Sequence, residues 1–168
     1  MIFIFDLDYT LYSLPKSIPF NYNLLKKNNK INNLLKSLSN KKYIFTNGTL
    51  LHVFKVLKQL EMNNIFDKIE TCDTLKGYKP NINIFNKFIE KCSIKNDDNV
   101  MFFEDTLENL EIAKKLNWTT IFICGPYSNF LRNDEYKLKI PDFIDYIFVD
   151  IEEALIYFYN IDTTENIR

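Results

Sequence analysis

The sequence predicts an α/β protein: a three-layer, Rossmann-like fold with a mainly parallel sheet between two sets of helices. Three observations carry this. Short runs rich in Ile, Phe and Val recur along the chain, segments with apolar residues three and four apart lie between them, and each interval is long enough for a right-handed crossover. Near-continuous apolar runs, in place of alternating ones, suit strands buried on both faces.

Taken in order, the expected strands are 2–5, 42–45, 68–71, 100–103, 119–123 and 146–149, each ending near a polar or turn-forming residue. The expected helices are 31–39, 50–62, 81–92, 107–116 and 151–159. Only 11–30 escapes this scheme. It carries Pro15, Pro19, Tyr12, Phe20 and Tyr22 without a clean period, and reads as an irregular flap or minimal cap over the carboxyl end of the first strand. The expected layout is one core domain over 1–160 with this flap inside it, followed by a tail at 161–168.

Composition narrows the function classes. A chain of 168 residues fits one ordinary domain. Its 46% hydrophobic and 26% charged residues are those of a soluble globular protein. The formal net charge of −1 gives no general attraction to nucleic acid or anionic membrane, so a phosphate-bearing ligand must be held by local groups. Cys72, Cys92 and Cys124 form no Cys-x-x-Cys pair, which disfavours a disulfide framework and a structural zinc site, and no apolar run could span a bilayer. A soluble protein of the cytoplasm is expected.

In open parallel sheets, ligands bind beyond the carboxyl ends of the strands. Here those ends are polar: Asp6-Leu7-Asp8-Tyr9-Thr10 after the first run, Thr46-Asn47-Gly48 after the second and Glu104-Asp105-Thr106 after the fourth, with Lys79-Pro80 at the mouth of a helix. Two carboxylates about 4 Å apart repel by roughly 4 kcal/mol at an effective dielectric near 20, so gathering these acids requires positive charge. Lys79 supplies one, and a hard cation such as Mg²⁺ suits the carboxylate oxygens. Asp6 and Asp8, two residues apart, provide one carboxylate to attack and one to move protons. The Thr46 hydroxyl and the backbone N–H groups of Asn47 and Gly48 form a small anion-binding turn. Each motif also has a plainer account: an acidic strand end, an ordinary turn, a solvated lysine, a helix N-cap at Asp105 or Thr106. Their occurrence together, in order and at strand ends, favours the chemical account. His52 is expected to be a partly exposed helical residue that the chemistry does not need.

These residues resemble the haloacid dehalogenase superfamily, whose first motif reads Asp-x-Asp-x-Thr/Val; the remaining motifs correspond to Thr46, Lys79 and the Glu104-Asp105 pair. The resemblance implies Asp6 as nucleophile, Asp8 as general acid and then base, and Thr46 and Lys79 as phosphate and charge partners, with Leu7, Asn47 and Gly48 also at the phosphate. It implies Mg²⁺ held by Asp6, Asp105 and the Asp8 backbone carbonyl, with Glu104 a further ligand and Asn109 orienting the acidic loop. Dehalogenating members lack a carboxylate at the place of Asp8, so the implied activity is that of a phosphatase forming an aspartyl-phosphate. The nearest motif likeness is to pyrimidine 5′-nucleotidases. A small phosphorylated substrate follows, such as a nucleoside monophosphate whose base stacks on Tyr12, Phe20 or Tyr22; the small cap would also admit a larger one. Three rivals stay open: a phosphotransferase or mutase, a silent phosphate-binding scaffold, and a receiver domain, the last disfavoured because its acceptor follows a middle strand.

Overall fold

The computed structural model describes residues 1–14, 19–126, 128–131 and 138–165, with backbone alone from 162 onward. Six strands form one parallel sheet: β1 (Ile2–Phe5), β2 (Lys41–Phe45), β3 (Lys68–Glu70), β4 (Val100–Glu104), β5 (Thr119–Ile123) and β6 (Tyr146–Phe148). Their order is β3-β2-β1-β4-β5-β6, and every pairing is parallel. β1 therefore lies between β2 and β4, where the direction of winding reverses and a crevice opens beyond the strand ends.

Alternation along β1 divides the core. Phe3 and Phe5 join Ile44, Met101, Phe103 and Ile121 on one face, beneath α1 (Asn29–Ser37), α2 (Leu50–Gln59) and α6 (Ile151–Glu165). Ile2 and Ile4 join Tyr43, Phe45, Val100 and Phe102 on the other, beneath α4 (Ile82–Cys92) and α5 (Leu107–Lys115). Aromatic stacking ties sheet to helix and strand to strand: Phe45 lies on Phe88 with ring centroids 4.3 Å apart, and Phe5 lies on Phe103 at 4.7 Å.

Helix ends differ from expectation where capping decides them. α1 starts at Asn29 because the Asn28 side chain accepts from the N–H groups of Lys30 and Ile31. α2 stops at Gln59, and Glu61 turns the chain with a φ of 54°. β3 ends at Glu70 because Thr71 becomes the N-cap of a short unexpected helix, α3 (Cys72–Leu75), through a reciprocal capping box with Thr74. α6 continues to Glu165, into the segment expected as a tail. Residues 166–168 of that tail and 15–18 of the flap lie outside the described residues. Elsewhere in the flap, the regular structure is a 3₁₀ turn at Tyr22–Leu24 and the first turn of α1. Among the described residues, no helix is long and apolar enough to cross a membrane.

Candidate active site

Asp6 extends the β1 ladder by one residue, donating its N–H to the Phe103 carbonyl at 2.9 Å, so its side chain emerges over the β1/β4 crevice. Lys79 reaches it from the loop before α4. Its ammonium donates to Asp6 Oδ1 at 2.8 Å, Glu104 Oε2 at 2.7 Å and the Phe45 carbonyl at 2.8 Å, between the rings of Phe45 and Phe102. Lys79, Asp6 and Glu104 are all buried. Three strand ends, those of β1, β2 and β4, thus meet on one cation.

The lysine is itself fixed. Asn47 clasps its backbone, accepting the Lys79 N–H at Oδ1 (2.7 Å) and donating from Nδ2 to the Lys79 carbonyl (3.1 Å). Asn47 was expected to offer its backbone N–H to an anion; its side chain has this second task, which short-motif reading does not reveal. Thr46, buried at the end of β2, accepts the Gly48 N–H on its hydroxyl at 3.0 Å. Leu7, expected at the phosphate, buries its side chain in the core, which leaves its backbone N–H as the group able to serve there.

Asp6, Glu104 and Asp105 each offer a carboxylate oxygen within 4.8 Å of the others. Burial first, and Glu104 second, raise the Asp6 carboxyl well above the usual carboxylate range; the same two causes push Asp105 up to about 7. Burial alone would lower the Lys79 ammonium, but Asp6 and Glu104 outweigh it and hold Lys79 above its ordinary value. One cation among three acids leaves excess negative charge, and a hard, all-oxygen donor set suits Mg²⁺. The residues present therefore fit such an ion.

Glu104 was expected as a further ligand, but both of its oxygens are already engaged. Oε1 accepts the N–H groups of Asp105 (3.0 Å) and Thr106 (3.1 Å), and Oε2 accepts from Lys79 and, at 2.8 Å, from Asn109 Nδ2. It holds the acidic loop and Lys79 in place, and Asn109 orients it. Asp8 was expected to offer its backbone carbonyl to the metal; its carboxylate lies outside that acidic group.

Asp8 faces the other side of the site. Its Oδ1 accepts from the Tyr12 hydroxyl, four residues on, and from His52 Nε2 at 2.7 Å. His52 Nδ1 in turn meets the Tyr22 hydroxyl at 3.0 Å, and the Phe20 ring lies 5.4 Å from the imidazole. Burial and the neighbouring Asp8 push the Tyr12 phenol upward, so it stays a donor. Neither Tyr12 nor His52 was expected to touch Asp8. The available signal was the position of His52 in the first turn of the helix after Thr46, where a side chain leans back toward the helix N-terminus. Tyr12, Phe20 and Tyr22 were expected to face a substrate base; Tyr12 and Tyr22 are engaged within the protein, and Phe20 is the exposed member.

Gly48 is sterically required. A Cβ there would stand 2.9 Å from His52 Cδ2, 3.4 Å from Thr46 Oγ1 and 3.6 Å from Asp8 Oδ2. Gly48→Ala is expected to displace His52 and destabilise the protein by about 1–3 kcal/mol, read from chemical denaturation. Unchanged stability would mean that the turn yields freely.

Burial pushes the Cys92 thiol up to about 12 and also raises Cys72 and Cys124; all three are unpaired, and thiolate chemistry is disfavoured.

Residues 16–123, more than half of the chain and including Thr46, Lys79, Glu104 and Asp105, match the sequence profile of haloacid dehalogenase-like hydrolases. Among solved structures, the fold is similar to L-2-haloacid dehalogenase from Xanthobacter autotrophicus with chloropropionic acid covalently bound (TM-score 0.61, 14% identity, covering 82% of this chain and 63% of that one). It is similar also to L-2-haloacid dehalogenase PA0810 (0.60, 18%, 76% and 54%). A third is the putative HAD-hydrolase YfnB from Bacillus subtilis bound to magnesium (0.59, 19%, 76% and 52%). The chain thus spans about half to two thirds of the length of these proteins, and at such identities the likeness is one of fold.

Proposed function

Because the chain belongs to the haloacid dehalogenase-like hydrolase family, we propose that it is a Mg²⁺-dependent phosphatase that hydrolyses a phosphate monoester through an aspartyl-phosphate on Asp6. The observation that carries this reading is Asp8: a second carboxylate two residues from the buried Asp6–Lys79 pair and held by its own donors. Halide leaves carbon without a proton, whereas an alkoxide leaving phosphorus needs one. A positioned acid beside the nucleophile therefore supports departure of oxygen over departure of halide.

In the proposed reaction, Asp6 attacks phosphorus in line, the P–O bond to the leaving group breaks, and Asp8 gives its proton to the departing oxygen. Asp8 then takes a proton from water as that water attacks the acyl phosphate, and Asp6 is regenerated. Lys79 and the Thr46–Gly48 turn offset charge on the transferring group, and most of the acceleration comes from positioning and charge. Asp6 and Asp105, with the Asp8 carbonyl, would hold Mg²⁺, whose chemistry is to neutralise phosphoryl charge.

The motif likeness to pyrimidine 5′-nucleotidases and the exposed Phe20 beside His52 support a nucleoside monophosphate as substrate. The short flap leaves room for a larger phosphorylated one. The three unpaired cysteines support a reducing, cytoplasmic setting.

The test is a panel of p-nitrophenyl phosphate, nucleoside monophosphates, sugar phosphates and 2-haloacids, with Mg²⁺ present and chelated. Release of phosphate only with Mg²⁺ is expected; halide release, or no turnover by folded protein, would overturn the reading. Protonated Asp105 must lose its proton to bind a cation. Asp6, also raised by burial and Glu104, must lose its proton too, so the apparent Mg²⁺ affinity is expected to fall at least about tenfold for each pH unit below about 7. A flat profile would mean that cation binding displaces no proton from these two acids.

A further inference from the structure

Asp8 is held by a relay that the proposed chemistry does not by itself require. We infer that Tyr12 and His52 are positioning residues for Asp8, clamping one carboxylate oxygen so that the other delivers the proton to the leaving group. This rests on the phosphatase reading above and deepens it.

Both donors converge on Oδ1: the Tyr12 hydroxyl from the loop after β1, and His52 Nε2 from the first turn of α2. Among the described residues, Oδ2 accepts no hydrogen bond; it lies on the Gly48 side, 3.6 Å from where a Cβ on that glycine would stand. To donate to Asp8, the imidazole must carry its proton on Nε2. Nδ1 is then an acceptor, and the Tyr22 hydroxyl stands 3.0 Å from it, placed to donate. Every donor in the row therefore points toward Oδ1: Tyr22 to His52, His52 and Tyr12 to Asp8.

This arrangement works in both protonation states of Asp8. A carboxylate accepts at Oδ1, and so does the carbonyl oxygen of the acid whose proton sits on Oδ2. The side chain can thus lose its proton from Oδ2 as the P–O bond breaks and regain one from water without giving up either tether. Its orientation is preserved between the two steps, which keeps the acid in reach of first the leaving oxygen and then the attacking water. Residues of the flap take part directly, because Tyr22 belongs to its 3₁₀ turn and packs with Phe20 against His52.

The discriminating measurement is the dependence on leaving group. Tyr12→Phe and His52→Leu would be assayed by kcat/KM on p-nitrophenyl phosphate, whose phenolate departs with little help, and on an alkyl phosphate, whose alkoxide needs a proton. The alkyl ester is expected to lose on the order of 10- to 100-fold, and the nitrophenyl ester no more than about threefold. In an Asp8→Asn background, the same substitutions should add no further loss on the alkyl ester.

Equal losses on both esters, no loss on either, or losses that persist without Asp8 would each overturn the clamp and leave the two side chains as ordinary packing. Because Tyr12→Phe removes a single oxygen, it is the variant of choice should His52→Leu fold poorly. Wild-type protein inert toward both esters would instead defeat the phosphatase reading, and this inference with it.

Discussion

Asp6→Asn is expected to abolish turnover, by at least about ten-thousandfold, while leaving the protein as stable as before or more so. The amide has the shape of the carboxylate but cannot form an acyl phosphate. Its effect on stability follows from charge. Asp6 and Glu104 share a single ammonium with the Asp105 carboxylate close beside them, and burial and Glu104 both oppose ionisation of Asp6. Removing that charge relieves repulsion, and Lys79 keeps Glu104 as its partner at 2.7 Å. Thermal melting beside steady-state phosphate release checks both halves. Near-normal activity would remove Asp6 as nucleophile, and a collapsed fold would mean that its charge is structurally required.

Lys79→Met should damage both properties. Methionine approximates the stem and fills the space between Phe45 and Phe102, but it leaves Glu104 and Asp6 buried with no opposing charge. Breaking a buried pair from one side typically costs about 3–5 kcal/mol. Loss of charge at the transferring group should lower kcat by about a hundred- to a thousandfold. Lys79→Met with Glu104→Gln should regain much of the stability and none of the activity, separating the two roles. Lys79 titrates above its ordinary value, so its contribution is fully present below pH 10.5 and is lost only as pH rises beyond that through the folded-state value. A Lys79→Met variant of wild-type stability, measured by denaturant unfolding, would mean that the three strand ends are held together without this ion pair.

The fold was legible because short continuous apolar runs alternate with longer segments whose apolar residues recur three and four apart. Ile2–Phe5 and residues 100–103 are such runs, too short for ordinary helices, rich in Ile, Phe and Val, and buried throughout. Their termini were less legible, since these depend on side chains outside the repeating pattern, such as Asn28 and the Thr71–Thr74 box. Within the site, the residues marked by motif and by strand end do approach one another: Asp6, Lys79, Glu104 and Asp105. What the sequence concealed was which oxygen each partner occupies. Glu104 reads as one more acid until its four donors are counted, and His52 reads as a helical surface residue until α2 is docked and its ring reaches Asp8. Both facts belong to tertiary packing, which spacing along a chain does not encode.

The placement of β1 has a consequence for biosynthesis. Ile2 pairs with Lys41 on one side but with Val100 on the other, so one flank of the central strand waits for a segment translated much later. At an elongation rate of about 5–20 residues per second, that wait lasts several seconds, during which the Phe3 and Phe5 side chains lack the cover of Phe103. Ribosome-bound intermediates that stop short of β4 would hold Asp6 without Glu104 or Asp105, and the nascent polypeptide would complete its acidic cluster only once its second half had emerged.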